Sequence, residues 1–92
     1  MDSARVARIV ERVRSIPEGY VRSYGDIDRR APRLVGHVLA TCDDHDLPWH
    51  RVVRADGSLT QGQRQRKLLL AEGIPMCGAR VDMREARVPE EF

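Results

Sequence analysis

The stretch Ser23–Ala40, SYGDIDRRAPRLVGHVLA, predicts two short helices separated by a break. Ser23 is a good N-cap for a first helix over Tyr24–Arg30. Pro32 ends that segment and suits the first turn of a second helix over Arg33–Ala40. Two short helices joined in this way are typical of a helix-turn-helix. Because many small helical domains contain such a pair without touching DNA, this pattern alone leaves DNA binding open.

Apolar spacing predicts further elements on both sides of this stretch. Before it, apolar residues recur at i, i+3, i+4 and i+7, which indicates a helix from about Ser3 to Ser15. After it, Val52-Val53 is typical of a short strand, closed by the turn Ala55–Ser58. A helix over Gln61–Glu72 follows, with Gly73 at its C-terminal end. The residues expected on the apolar helix faces are Val6, Ile9, Val10, Val13, Leu34, Val35, Val38, Leu39, Leu68, Leu69 and Leu70. The segment after Gly73 is weakly determined, with Val81 as a candidate strand residue.

Length and composition indicate the class of protein. The chain has 92 residues, 41% of them hydrophobic and 33% charged, which fits one small globular domain. We therefore expect a mainly α, small winged-helix-like domain with a helix-turn-helix and a short strand or wing. It should span residues 1–92, with its core at about 4–74 and a C-terminal tail at 75–92. No apolar run reaches the length of a membrane span, and the first residues contain no signal-peptide core. These features favour a cytoplasmic protein with no membrane partner, and we expect a monomer.

The charge pattern is suggestive without deciding the partner. Net charge is +2, and Lys67 is the only lysine among 16 basic residues, so the other 15 are arginine. Arginine pairs with phosphates through two parallel hydrogen bonds and stacks on bases, which favours nucleic acid. A GC-rich genome would produce the same excess, because it favours arginine codons. The composition therefore supports both interpretations equally.

The cysteines and histidines do not predict a metal site. Cys42 and Cys77 form no CxxC pair, and a cytosolic setting argues against a disulfide. Cys42, His45 and His50 match no zinc spacing, and the acidic segment Thr41–Leu47 is typical of a solvated loop. We expect neither a metal nor another cofactor.

The stretch Pro48–Val53, PWHRVV, is the most informative for function. O6-alkylguanine-DNA alkyltransferases carry Pro-Cys-His-Arg-Val at the active site. The alkyltransferase-like proteins carry that motif with another residue, commonly Trp, in place of Cys. With Trp49 at this position, the chain resembles the alkyltransferase-like proteins. Other pieces of the same domain occur in the same order across about residues 4–74: Ile16-Pro17-Glu18-Gly19, Ser23-Tyr24-Gly25-Asp26-Ile27, Arg33-Leu34-Val35-Gly36, Asp56-Gly57-Ser58-Leu59 and Leu69-Leu70-Ala71-Glu72-Gly73.

Trp49 implies that the chain does not transfer alkyl groups. The transfer needs a thiolate nucleophile, and an indole offers a weak N–H donor and no activatable lone pair. We therefore expect a protein that is not an enzyme. A single tryptophan in a small domain is usually part of the core, but the resemblance favours a lesion pocket lined by Trp49, Pro48, His50 and Tyr24.

The resemblance also assigns a polar network. In the alkyltransferases, the motif histidine and a glutamate of the last helix help to activate the cysteine. His50 and Glu72 occupy the matching positions, with Arg51 beside them. Because there is no thiol to serve, we interpret the three as a structural network that shapes the site.

The resemblance further implies a way to bind DNA. Arg33 matches the arginine that enters the base stack through the minor groove and fills the gap left by a flipped nucleotide. Tyr24 matches the tyrosine that pushes on the phosphate of the target nucleotide. Gly36 matches a glycine that lets the recognition helix lie close to the duplex. For Arg33 and Tyr24 the alternatives are a surface arginine at a helix start and a half-buried tyrosine near an N-cap. Phosphate contacts are expected from Ser23, Arg22, Arg29 and Arg30.

The match departs from the family at defined positions. Tyr24 and Arg33 lie only nine positions apart, since the segment Asp28–Ala31 replaces a longer helix and turn. The first helix must therefore be truncated or the turn rearranged. Thr41-Cys42 stand where the family commonly has Gly-Asn, so an asparagine that braces the site is missing. The loop that closes over the alkyl group is reduced to Thr60–Gln63, which predicts a more open pocket. The N-terminal domain of the full alkyltransferases is not expected here.

These residues predict a DNA-damage sensor. We expect it to bind O6-alkylguanine in double-stranded DNA by flipping the base, and to mark the site for nucleotide excision repair proteins. One alternative is a sequence-specific helix-turn-helix regulator that reads undamaged DNA. Another is a residual enzyme that uses Cys42 or Cys77 as nucleophile.

Overall fold

A computed structural model describes residues 3–89 of the chain. The helices are α1 (Ser3–Arg14), α2 (Tyr24–Ile27), α3 (Pro32–Thr41), α4 (Gly62–Ala71) and α5 (Met83–Ala86), with a 3-10 turn over Trp49–Arg51. The strands are β1 (Arg22–Ser23), β2 (Val52–Val53), β3 (Met76–Cys77) and β4 (Arg80–Val81). β1 and β2 pair in parallel, whereas β3 and β4 form an antiparallel hairpin. The prediction of a small, mainly helical domain with little strand is confirmed.

Two apolar clusters hold these elements together. The first joins α1, α2 and α3 to β2. The second lies under α4, between β2 and the β3–β4 hairpin. Each fully buried aliphatic side chain contributes roughly 1.5–3 kcal/mol of transfer free energy. The buried residues of the first cluster are Ile9, Val13, Ile16, Ile27, Val35, Val38, Leu47, Val52 and Val88, and those of the second are Val21, Val53, Leu69, Ile74, Val81 and Ala86.

The helix-turn-helix is present with a short first helix. Ser23 caps α2 as predicted: its hydroxyl accepts from the Asp26 N–H, while the Asp26 carboxylate accepts from the Ser23 N–H. The predicted extension to Arg30 is wrong, because Asp28 takes an extended conformation with φ −146° and ends the helix after Ile27. The second helix begins one residue earlier than predicted, with Pro32 in its first turn.

The prediction that Leu68, Leu69 and Leu70 are all buried is wrong. Leu69 is fully buried, but Leu68 and Leu70 are 39% and 49% exposed. Successive helical residues are rotated by about 100°, so three in a row cannot share one buried face. Gly73 ends α4 as predicted, with φ +75°, a left-handed conformation that glycine adopts without strain.

Gly57 fixes the hairpin against the second cluster. It lies in the predicted turn after β2 with φ +86°, and its carbonyl accepts from the Val81 N–H at 2.9 Å. A Cβ atom at this position would lie 2.3 Å from the Val81 carbonyl oxygen. Glycine is therefore required by both the backbone conformation and the close approach of β4.

No helix within residues 3–89 is long and apolar enough to span a membrane.

Candidate functional site

A cleft of about 440 Å³ lies between the recognition helix α3 and the motif at the start of β2. It receives residues from the helix-turn-helix, from the acidic loop, from the 3-10 turn and from the first turns of α4. The lining residues are Tyr24, Gly36, Leu39, Ala40, Cys42, Asp44, His45, Leu47, Trp49, Thr60, Gln61 and Arg64.

Trp49 forms one wall of this cleft. Its backbone N–H donates to the Leu47 carbonyl at 2.7 Å, which holds the residue at the start of the 3-10 turn. The Arg64 guanidinium carbon lies 4.8 Å from the centroid of the indole ring, a cation–π contact. The His50 ring packs edge-on, with ring centroids 6.0 Å apart and an interplanar angle of 82°. The indole is thus held between a cation and an imidazole while it remains half-exposed to the cleft.

The predicted network of His50, Arg51 and Glu72 is assembled in the structure. The Glu72 carboxylate pairs with His50 Nε2 at 2.6 Å and accepts from Arg51 Nε at 2.9 Å. The Gly19 N–H also donates to it at 3.3 Å, and Arg51 donates onward to the Ile16 carbonyl at 2.8 Å. The network therefore ties the motif to the end of α4 and to the turn after α1.

The electrostatics of Glu72 follow from these contacts. Only 10% of its side chain is exposed, and burial alone would raise its pKa. Hydrogen bonds from Arg51 and His50 outweigh that effect and lower the pKa of Glu72 from 4.5 to about 2. The carboxylate is therefore charged across the physiological range, and it compensates the Arg51 guanidinium, which is itself only 17% exposed.

Gln65 braces the motif from α4 and was not found by sequence reasoning. Its side chain is fully buried, and its amide nitrogen donates to the carbonyls of His50 at 3.0 Å and Val52 at 2.9 Å. Its amide oxygen accepts from the Gln61 N–H at 3.2 Å. Cys42 stands after α3 where the family commonly has an asparagine, and Gln65 supplies a side-chain amide to the motif from α4.

Tyr24 reaches across the cleft. Its hydroxyl and the Thr60 hydroxyl lie 3.0 Å apart, so the short loop at Thr60–Gln63 is hydrogen-bonded to the helix-turn-helix. The predicted short loop therefore lies at the cleft, with Thr60 and Gln61 in its wall. A Cβ atom at Gly36 would lie 3.9 Å from the Tyr24 ring, an ordinary contact, so packing within the chain does not require that glycine.

The remaining predicted site residues lie in different surroundings. Arg33 is exposed at the second position of α3. Arg22 lines another cleft, together with Arg12 and Arg29. Ser23 is 5% exposed and its hydroxyl is engaged in the cap, so its placement favours capping over a phosphate contact. Pro48 is buried immediately before the 3-10 turn, and neither Pro48 nor His50 is among the residues that line the cleft, so of the four predicted pocket residues only Trp49 and Tyr24 lie in its wall.

Cys42 and Arg64 also lie in the cleft wall, although sequence reasoning did not place them there. Cys42 stands outside the motif, and Arg64 is one of two arginines on the polar helix α4, so neither carries a local signal. Cys77 is exposed in β3. Within residues 3–89, no group of three or more His, Cys, Asp or Glu side chains is arranged to hold a metal ion.

Comparisons with known proteins show what the chain is similar to. The sequence model of the family described as "6-O-methylguanine DNA methyltransferase, DNA binding domain" matches residues 5–74. The chain is 42% identical over 91 residues to the DNA base-flipping protein of Escherichia coli K12, covering 87% of this chain and 70% of that protein. It is 46% identical over 69 residues to the DNA base-flipping protein of Thermus thermophilus, covering 68% and 47% of the two.

Solved structures show the same fold. S. pombe Atl1, in complex with damaged DNA containing O6-carboxymethylguanine, superposes with a TM-score of 0.80 at 25% identity, covering 97% of both chains. The O6-methylguanine methyltransferase of Mycobacterium tuberculosis gives a TM-score of 0.63 at 32% identity, covering 78% of this chain and 50% of that one.

Proposed function

This chain belongs to the 6-O-methylguanine DNA methyltransferase DNA-binding-domain family, and we propose that it recognises O6-alkylguanine without repairing it. It binds double-stranded DNA, flips the damaged base into the cleft between α3 and the motif, and holds the complex. The names of its relatives, which are DNA base-flipping proteins, support this role. So does the likeness to Atl1 bound to damaged DNA.

The observation that carries the proposal is Trp49 in the wall of the cleft. Its position matches the reactive cysteine of the alkyltransferases in the Pro-Cys-His-Arg-Val motif, but an indole cannot accept the alkyl group. Its flat face, held by Arg64 and His50, is suited to pack against a purine or an alkyl chain. The cleft can therefore hold the lesion, and the chemistry for removing it is lacking at that position.

Base flipping requires groups that replace the extruded nucleotide and that move its backbone. Arg33 is exposed at the start of α3, where a guanidinium can enter the stack and hydrogen-bond to the unpaired base. Tyr24 lies in the cleft wall and is placed to contact the phosphate as the nucleotide turns. Extrusion costs a few kcal/mol and costs less for a damaged base with weak pairing, which contributes to selectivity.

A sensor that does not repair must pass the lesion on. We place this protein in the cytoplasm as a monomer whose bent complex is found by nucleotide excision repair proteins. Because the bound state then matters more than turnover, slow dissociation from the lesion is the property that serves the function.

The test is equilibrium binding at one fixed salt concentration to duplexes that contain guanine or O6-methylguanine at the same position. Wild type should prefer the lesion, and Arg33→Ala should lose most of that preference. Arg84→Ala, which removes the same charge from α5, is the matched control and should keep it. Equal binding of wild type to the two duplexes would overturn the proposal, and a tight undamaged site would favour a sequence-specific regulator.

The absence of repair is tested separately with a duplex that carries a labelled O6-methyl group. We expect no label on the protein after prolonged incubation. Label on the wild type would contradict a non-enzymatic role. Cys42→Ser and Cys77→Ser would then identify the acceptor, and Cys42 is the one of the two that lines the cleft.

A further inference from the structure

The turn between α2 and α3 is built on the side chain of Asp28. Its Oδ1 accepts from the backbone N–H groups of Arg30 at 3.0 Å and Ala31 at 3.2 Å. The Asp28 N–H donates to the Tyr24 carbonyl, which closes α2. The connection between α2 and α3 is therefore only four residues long, 28–31, where the family is expected to have a longer helix and turn. The Asp28 carboxylate holds this short connection in place.

The helix α3 begins directly after the turn that this carboxylate holds. The N-cap of α3 is Ala31, whose methyl side chain offers no acceptor to the first turn, although its carbonyl accepts from the N–H groups of Leu34 at 3.1 Å and Val35 at 3.4 Å. Pro32 begins the helix and Arg33 follows it. The position of the Arg33 backbone is thus set by the turn immediately before it, which Asp28 holds through two amides.

Asp28 is in turn fixed to α1. Arg5 donates from Nε to Asp28 Oδ2 at 2.7 Å and from its terminal nitrogen to Oδ1 at 2.9 Å, a two-pronged pair. The side chains of Arg5 and Asp28 are 29% and 14% exposed. Hydrogen bonding from Arg5 lowers the pKa of Asp28 to about 2, so the carboxylate is charged at neutral pH. α1 itself is anchored in the core by Ile9 and Val13.

We propose that the Arg5–Asp28 pair is the positioning element for Arg33, linking the recognition helix to α1 so that the shortened turn still presents the guanidinium to the base stack. This inference rests on the proposed function of the cleft. Arg5 and Asp28 do not touch the lesion. They act through the angle at which α3 leaves the turn, and a small error there is amplified at the end of a long arginine side chain.

The alternative is a pair that only stabilises the fold. That role would lower the melting temperature and leave the discrimination between damaged and undamaged DNA intact once the protein is folded. The informative quantity is therefore the ratio of the affinities for the two duplexes, measured well below the melting temperature of the least stable variant.

The experiment uses the full chain and matched duplexes with guanine or O6-methylguanine at one salt concentration. Arg5→Ala and Asp28→Ala should each lower the lesion preference by about tenfold, the size expected when one charge-assisted contact is lost. Arg8→Ala removes the same charge one helical turn along α1 and leaves the Asp28 contacts in place, so it should retain the preference. Circular dichroism confirms that each variant is folded at the assay temperature.

A second variant separates positioning from general weakening. In an Arg33→Ala background, Arg5→Ala should produce no further loss of preference, because the group that it positions is gone. Additive losses would overturn the inference, as would an unchanged ratio in both Arg5→Ala and Asp28→Ala. If wild type prefers the lesion and these variants keep the preference, only the positioning role fails. If wild type shows no preference, the proposed function fails and this inference fails with it.

Discussion

Replacing Glu72 by glutamine removes one charge from the network beneath the cleft and preserves the shape of the side chain. In the native protein, this carboxylate accepts from Arg51, His50 and the Gly19 N–H. Glutamine has one acceptor oxygen instead of two, and its NH₂ group would face the N–H groups of Arg51. The Arg51 guanidinium, 17% exposed, would be left without a compensating charge.

Two independent arguments give the magnitude. The pKa of Glu72 falls from 4.5 to about 2, which corresponds to about 3 kcal/mol favouring the charged form in the folded state. Breaking a buried ion pair by removing one partner costs roughly 3–5 kcal/mol, and slightly less for a pair that keeps some exposure. A domain of this size has about 5–14 kcal/mol of stability. We therefore expect Glu72→Gln to lose about 3 kcal/mol and roughly 10–25 °C in melting temperature.

The same carboxylate predicts a pH dependence. Because the folded pKa of Glu72 lies below the unfolded one, its contribution is fully present above pH 4.5 and is lost as the pH falls toward 2. Stability of the wild type should decline across that window. Glu72→Gln should decline less over the same range, because it has already lost this titrating group.

The assay is urea unfolding followed by circular dichroism at neutral pH and at steps down through acid. Glu11→Gln is the matched control. Glu11 Oε1 lies 3.6 Å from Arg14 Nε in a surface pair, and the Glu11 side chain is 74% exposed. This substitution should change the free energy of unfolding by less than about 0.5 kcal/mol. A loss below about 1 kcal/mol for Glu72→Gln, or an acid profile identical to the wild type, would refute this account of the network.

Two further predictions concern the braces of the cleft. Gln65→Leu keeps the volume of a fully buried side chain but leaves its backbone partners unpaired. It should therefore lower the free energy of unfolding in urea by about 2–4 kcal/mol. The control Gln63→Leu changes an exposed side chain and should be nearly neutral. Thr60→Val removes the partner of the Tyr24 hydroxyl, which should free the tyrosine for the phosphate and raise affinity for the O6-methylguanine duplex by up to about fivefold. Unchanged or weaker binding of Thr60→Val in that titration would show that the Tyr24–Thr60 hydrogen bond does not compete with DNA.

Local signals predicted α1, α3, α4 and β2, but not the β3–β4 hairpin and α5. Those elements lie in the segment that was predicted to be a C-terminal tail, and Val81, Ala86 and Val88 are buried in the core instead. Ser23 as an N-cap, Gly73 after α4 and the short strand Val52-Val53 are all confirmed, since each depends on the chemistry of a few neighbouring residues. The helix ends were less predictable. α2 stops at Ile27 because the Asp28 carboxylate binds the turn amides and Arg5, which is 23 positions earlier in the chain. A partner at that distance leaves no trace in a local pattern.

The candidate site was likewise predicted only where local sequence identifies its residues. The Pro48–Val53 motif identified Trp49 and His50 as site residues from the sequence. The structure brings Trp49 into one cleft with Tyr24 and Gly36. Gln65 and Arg64 come from another helix, and only the packing of α4 against the 3-10 turn makes them neighbours of the motif. Their roles could not be predicted from the sequence, because glutamine and arginine are ordinary on a polar helix.

Trp49 is the only tryptophan in the chain, and it lies in the cleft wall. Intrinsic fluorescence excited at the red edge of the absorption band would therefore report on this one place, without an attached dye. A purine stacked on the indole would quench the emission, and displacement of Arg64 from the ring would shift its wavelength. The protein thus has an intrinsic fluorophore at the position where the family's transferases have their nucleophile. The arrival of a flipped base can therefore be timed by stopped-flow mixing with unlabelled DNA.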